Sequence, residues 1–521
     1  MQQAINHPTG DGKLPSFHHP KLADIIEDLD LVHDCWTLLK GEAKKRHLPK
    51  EPGEPAQAYK NRVRRSSYPN FYEAAIKAFA GMLSRYELRN APKGLIDAAQ
   101  DIDGLGNSLK KWGMMADELV LRDGGCLLMV DMPKDTPENR AEELASGRRP
   151  LFSIAERRNV LNWKLKKHNG RMVPYLVTVL EWHEEEDGEY GQKLEPRYRV
   201  MKGGKWQLLK ITGDPVSSGS NAVSGKNSAA KFTVELVDKG EFLGANNVPL
   251  QFPPVRWYNA DGKDFGEGDI QLLSLANLSL DWFREYSDLK ELLHKCALPV
   301  AVVKGRRAMV PVPGAGGGAE YVTPPLALGP NSLVEFPDGN GDLTWSEPSG
   351  GSLAQHLEHL KAIEGLIDRQ TLSFLFSGSG DKTATHAQLE SAQVQAGVTS
   401  WGEMKSSAHE SLFQLWGAFT GEPVEPGAGL DLLPGIMDKP VDDPLLQLAS
   451  TLYDKGLLMR ETVTHLAQKR GMLRPGVTAE DEAEQLAEED RKREELLNPP
   501  LPDENDSDTQ DNTNAQGLPL T

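Results

Sequence analysis

Read for hydrophobic period alone, the chain divides into a helical opening, a strand-rich middle and a set of long helices. Apolar positions recur at three- and four-residue spacing in Lys21 to Gly41, in Pro55 to Leu88 with a break at Tyr68-Pro69, and in Ser108 to Arg122 after Asn107. These spacings predict helices, and the apolar run Cys126 to Asp131 predicts a short buried strand. From Leu151 to Trp257 the runs VLNWKL, YLVTVLEW, RYRVM, KWQLLKI and KFTVELV are rich in β-branched and aromatic residues, with turn signals such as Lys202-Gly203-Gly204 between them. They predict an antiparallel β layer within an α+β domain.

The strongest period follows. In Asp269 to Ala297 the stripe Leu275, Leu278, Trp282, Tyr286, Leu289, Leu293, Cys296 stands opposite Asp281, Arg284, Glu285, Asp288 and Glu291. It predicts a helix of ~43 Å at 1.5 Å per residue. A second, Ser352 to Leu372, with Leu353, Leu357, Leu360, Ile363 and Ile367 on one face, would span ~32 Å. Between them lie the strand-like pieces PVAVVKG, AEYVT, SLVEFP and DLTWSE. The two helices should therefore run antiparallel, closed at one end by a small β module. After the polar, Gly-rich FLFSGSGDKTAT, a helix from about Thr385 to Phe419 carries Ala408, Leu412, Leu415, Trp416 and Phe419 on its far half. Gly397 and Gly402, each costing ~1 kcal/mol inside a helix, predict a kink there. Pro444 to Leu496 reads as two or three short helices with turns at Gly456, Gly471 and Pro475-Gly476. Ser217 to Ala230 and the Pro/Gly-rich Val310 to Pro325 predict loops, and the polar stretch Pro499 to Thr521 predicts a disordered tail.

Composition narrows the function. The 521 residues hold 58 Lys+Arg against 76 Asp+Glu, a formal net charge of -18, which excludes a basic nucleic-acid reader. Most of that net charge lies from Gly476 to Thr521, where 14 acidic residues stand against Arg491, Lys492 and Arg493, so the body is only mildly acidic. Cys35, Cys126 and Cys296 show no CxxC or Cys/His ligand spacing, as expected of reduced thiols in an intracellular protein. No stretch reaches the ~18 uncharged apolar residues of a membrane span, so a soluble protein without a secretion signal is expected.

Candidate chemistry is sparse. Gly378-Ser379-Gly380-Asp381-Lys382-Thr383 invites a phosphate-loop reading, but such a loop needs Gly directly before the Lys. Here Asp381 intervenes, placing a like charge where phosphate would sit. Asp338-Gly-Asn340-Gly-Asp342 starts like a calcium loop and has Leu343 and Ser349 where Gly and Glu are required, so it reads as a turn. Among the histidines, His18-His19, His356/His359 and His465 stand out; the i, i+3 pair lacks any supporting ligand and reads as a solvated helix face. The basic clusters Lys44-Lys45-Arg46, Arg62-Arg64-Arg65, Arg157-Arg158 and Lys304-Arg306-Arg307 read as solvated surface. No GxSxG elbow occurs, and no catalysis, cofactor or metal is expected.

The element order, together with particular stretches, resembles the portal proteins of tailed bacteriophages, and within them a podovirus- and prophage-type subgroup. The matching stretches are His19-Pro20, YKNRVRRSSYPNFYEAAIKAFAGML from Tyr59, DIDGLGNSLKKWGMMADELVLRDGGCLLMVD from Asp101 and RRNVLNWKL from Arg157. They continue with LLSLANLSLDWFREYSDLKELLHKCALPVAVVKG from Leu272 and LGPNSLVEFPDGNGDLTWSEPSGGSLAQHLEHLKAIEGLI from Leu328, through most of residues 19–420. The resemblance implies a wing at 1–266, a first stem helix at 267–297, a clip at 298–350 and a second stem helix at 351–372. A tunnel loop at 373–385, a long wing helix with its return at 386–443, a helical crown at 444–498 and the tail at 499–521 would follow. It also implies a homo-dodecameric ring at one capsid vertex of the virion, assembled in the host cytoplasm with major capsid and scaffolding proteins and without a membrane. Double-stranded DNA would pass through it non-specifically, packaged by the terminase large subunit docked on the clip at Lys304, Arg306 and Arg307 and later ejected past tail or adaptor proteins. Ser377, Gly378, Ser379, Gly380, Asp381, Lys382 and Thr383 would face the channel, Lys382 as a sparse cationic ring. A head-closure adaptor, a class generally much shorter, and a nucleotide-binding enzyme using residues 378–383 are the alternatives.

Overall fold

The computed structural model describes residues 8–37, 42–133, 148–213, 232–296, 300–304, 309–313, 319–322, 341–346, 351–371 and 384–432, with scattered positions between 449 and 491. Residues 1–432 form one compact unit and 433–521 a second. Within the second, the described positions at 449, 451–453, 462–463, 465, 482, 484–488 and 491 are helical. The expected loop at Ser217 to Ala230, the turn at Asp338 and the tail from Pro499 lie outside the described residues.

The first unit opens with α1 (Pro20–Ala23), α2 (Ile26–Thr37), α3 (Glu42–His47), α4 (Ala56–Arg65) and α5 (Phe71–Leu83). The single helix expected over Lys21 to Gly41 is thus two, parted at Asp24-Ile25, and α5 stops at Leu83. Leu88 lies instead in β1 (Tyr86–Arg89), because Tyr86 to Arg89 finds an antiparallel partner in β14 (Gly429–Leu432), far along the chain. After α6 (Lys93–Ala98), α7 (Leu109–Asp123) starts at Ser108, whose hydroxyl accepts the Lys111 N–H at 3.3 Å. It ends at Gly124 with φ +78°, where a Cβ would lie 2.8 Å from the Asp269 carbonyl; only glycine fits.

Two antiparallel sheets follow. In the first, β2 (Cys126–Asp131) is flanked by β3 (Leu151–Glu156) and β9 (Val255–Tyr258). The second is a meander of β4 (Val160–His168), β5 (Arg171–Glu186), β6 (Gln192–Lys202), β7 (Lys205–Thr212) and β8 (Thr233–Glu241), in that spatial order. Each strand of the meander grows from one of the five runs read from the sequence. Mixed helices and antiparallel sheets agree with the expected α+β class.

Three long helices complete the unit: α8 (Leu273–Cys296), α9 (Gly351–Gln370) and α10 (Ala384–Thr420). At 24 residues α8 is ~36 Å long, shorter than the sequence suggested, because it begins at Leu273. Its burial is broader than one stripe, with Ala276, Leu280, Phe283 and Ser287 enclosed as well as Leu275, Trp282 and Leu289. Leu293 and, on α9, Leu357 are exposed, contrary to the stripes. Val32, Tyr72, Ile76, Phe79, Phe283 and Ile363 belong to one core, where α2 and α5 pack around α8 and α9. Trp112, Phe152, Phe413 and Trp416 anchor another, between α7, β3 and α10.

The expected joint in α10 is absent: the helix is continuous over Gly397 and Gly402. Gly402 is a close-approach site, since a Cβ there would lie 1.6 Å from Leu432 Cδ1. The stretch Val310 to Pro325, read as a loop, contains β11 (Val310–Pro313) paired antiparallel with β12 (Ala319–Val322). Pro311 and Pro313 are accommodated because both strands of a two-stranded ladder are edges. Two basic clusters also change meaning. Arg62, only 6% exposed, is forked onto Glu54 at 3.1 Å and donates to the Pro49 carbonyl. Arg157, 4% exposed, donates to the carbonyls of Asp123, Gly266 and Gly268.

Candidate functional site

The sequence marks the region where α8 and α9 meet a β module. Ser274 donates to Gln370 Oε1 at 2.7 Å, Trp282 Nε1 to Glu364 at 3.0 Å, and His356 Nδ1 meets Glu285 at 3.2 Å. Rising positions on α8 meet falling positions on α9, so the helices are antiparallel. Strands β10 (Val300–Lys304) and β13 (Asp342–Ser346) pair antiparallel, from Val300 opposite Ser346 to Lys304 opposite Asp342. Lys304 is exposed at the end of this ladder, ~14 Å along the strand from Val300. Asp342 is its register partner on the neighbouring strand. Arg306 and Arg307 lie outside the described residues. So do Ser377, Gly378, Ser379, Gly380, Asp381, Lys382 and Thr383.

The face of α9 expected to be solvated is so only in part: His359 is exposed, whereas His356 is half-buried and meets Glu285 of α8. Among the described residues no group of three or more His, Cys, Asp or Glu is placed to hold a metal ion, and no helix is long and apolar enough to cross a membrane. His19 has a structural task, its Nδ1 accepting the Lys21 N–H at the start of α1 and its ring stacking on Trp163 at 3.9 Å.

A polar cluster that sequence reasoning missed lies between α7, β9 and α10. Lys405 and Asp117 are both fully buried, with Nζ 2.6 Å from Oδ2. Tyr258 donates to Asp117 Oδ1 at 2.8 Å, Lys405 donates to the Leu83 carbonyl at 2.8 Å, and the Tyr86 ring lies 4.7 Å from the ammonium. Burial pushes the Asp117 carboxyl up, against the pull of Lys405 and Tyr258. One turn on, the fully buried His409 bonds the Lys405 carbonyl through Nδ1 at 2.9 Å, while its Nε2 has no partner. Burial, with the Lys405 ammonium beside it, pulls this imidazole down to about 3. The signal was present in the sequence: Lys405 extends the Ala408, Leu412, Trp416 stripe N-terminally, and His409 lies within it beside Ala408. The cluster's geometry is that of a fastening between three elements.

A cleft of about 590 Å³ lies between the two sheets, walled by Met129, Ile154, Val179 and Leu180. Arg199 in its wall is already held by Asp131 at 3.2 Å and by Glu181, so its charge is spoken for.

Residues 271–420, which run from the start of α8 to the end of α10, match the profile of a domain family of unknown function, DUF4055. None of the curated proteins compared with the chain matches it. Among solved structures, a chain in the neck of an empty gene transfer agent particle, computed with C6 symmetry, is 13% identical. It covers 79% of this chain and 94% of its own, with a TM-score of 0.38. A chain from the virion of a native gene transfer agent particle is also 13% identical, covering 80% and 96% with a TM-score of 0.39. So loose a likeness assigns no role to any residue here.

Proposed function

We propose that this protein is a portal subunit: copies form a ring at one capsid vertex, and double-stranded DNA is packaged and ejected through it. The observation that carries the reading is the antiparallel α8/α9 pair with the β10–β13 ladder between them in sequence, followed by the long α10. In this reading the helix pair is the stem, the strands at 298–350 the clip that meets the terminase large subunit and later tail or adaptor proteins, and 373–385 the tunnel loop. The charge supports it. DNA carries one charge per ~1.7 Å, and Lys/Arg contacts to phosphate bind it strongly, so a conduit for sliding DNA must offer few free cations. With most of the net charge after Gly476, the body of this chain is mildly acidic, which is compatible with that task.

Negative-stain imaging and mass photometry of the purified protein test the proposal. A hollow closed ring of about a dozen copies is the expected result. A small, closed globular oligomer overturns it and returns the adaptor reading.

A further inference from the structure

The outermost strands of the five-stranded sheet, β4 and β8, face opposite ways, and among the described residues neither pairs with a second strand. On β8, Thr233 to Val237 are all exposed, with Val234 at 39%, Leu236 at 51% and Val237 at 43%. A nine-residue edge strand showing apolar side chains is a template for another strand. The amino-terminal part of β4 is covered, because the His19 N–H donates to the Leu161 carbonyl at 2.8 Å and His19 stacks on Trp163. From Lys164 to His168 that edge is largely exposed.

The two edges carry opposite charge. Strand β8 has Glu235, Asp238 and Glu241 against Lys239, with Glu241 also held by Lys205 of the same copy. The exposed part of β4 has Lys164, Lys166 and Lys167 beside His168. A β8-to-β8 contact would oppose like charges, whereas β8-to-β4 matches them. We infer that neighbouring copies of this chain join edge to edge, β8 of one pairing with residues 164–168 of the next, so that the sheets continue from copy to copy. This rests on the ring reading above. Because the two edges lie on opposite sides of one sheet, the contact is head-to-tail, the kind that closes into a ring when the rotation closes.

The test uses the full chain and two charge-reversed variants, K164E/K166E/K167E and E235K/D238K/E241K, each checked for folding by circular dichroism. Mass photometry at low salt counts rings. Wild type should form rings, and each variant alone at least tenfold fewer. An equimolar mixture should recover them, since every β4–β8 contact can then join opposite charges. Wild-type rings left unchanged by both reversals, or lost without recovery on mixing, overturn the edge-to-edge contact alone. A monomeric wild type overturns it together with the ring reading.

Discussion

Replacing His409 by Gln should remove one identifiable component of the protein's acid sensitivity. The imidazole is fully buried and its Nε2 has no partner, so the folded state holds it neutral down to about 3, against an ordinary value of 6.5. As pH falls below 6.5 the unfolded chain takes up a proton that the folded chain refuses, so stability is present above that value and is lost toward pH 3. One pKa unit corresponds to about 1.4 kcal/mol, so lowering the pH from 7.5 to 5 should cost wild type about 2 kcal/mol through this one group. Urea unfolding of wild type and His409→Gln at both pH values reads the effect as a difference of differences, in which the other titrating groups cancel. Stability curves that stay parallel within about 0.5 kcal/mol would show that water or a proton reaches Nε2, and would refute the burial of an unpartnered, neutral imidazole at His409.

Other consequences can be checked alongside. Lys405→Met strands the buried Asp117 carboxylate and should cost about 3–5 kcal/mol, while Lys405→Met with Asp117→Leu should recover most of it in the same urea assay. With its cation gone, the already raised Asp117 carboxyl rises further, so the single variant should lose stability as pH increases through the folded value, the opposite sign to His409. Gly397→Ala, with nothing within 4 Å of the new Cβ, should stabilise α10 by about 1 kcal/mol in thermal unfolding. Gly402→Ala, driven against Leu432, should destabilise by about 1–3 kcal/mol. If Lys382 supplies the proposed cationic ring, phage carrying Lys382→Glu should package DNA but retain it less well, and normal retention would remove that residue from the proposal.

What could be read in advance followed from local pattern. The five strands of the meander announced themselves because their runs are rich in β-branched and aromatic residues and are parted by turn signals. The outlines of α8, α9 and α10 were legible from their three- and four-residue spacing, whereas the cap of α7 is Ser108, one residue past the Asn107 after which the sequence opened it. Long-range pairing was not: Tyr86 to Arg89 looks like the end of a helix until β14 lies beside it. The absent joint in α10 has a similar cause. A glycine inside a helix signals either a bend or a close approach, and only the position of Leu432 tells the two apart. The tunnel-loop and clip residues named from the family resemblance, Lys304 apart, lie outside the described residues and stay proposals.

The cations make the functional argument tighter than a count of Lys and Arg suggests. Arg62 is committed to Glu54, Arg65 to Glu291, Lys44 to the Ser66 carbonyl, Arg157 to three carbonyls, Arg199 to Asp131 and Glu181, and Lys405 to Asp117. Each binds an internal acceptor, so the cost of leaving that acceptor unpaired keeps the cation from turning outward to a phosphate. Lys304 remains exposed but faces Asp342 across its ladder. Part of the positive charge in the clusters at 62–65 and 157–158 is therefore used to fasten α4 and α7 to their neighbours, while Lys164, Lys166 and Lys167 stay exposed.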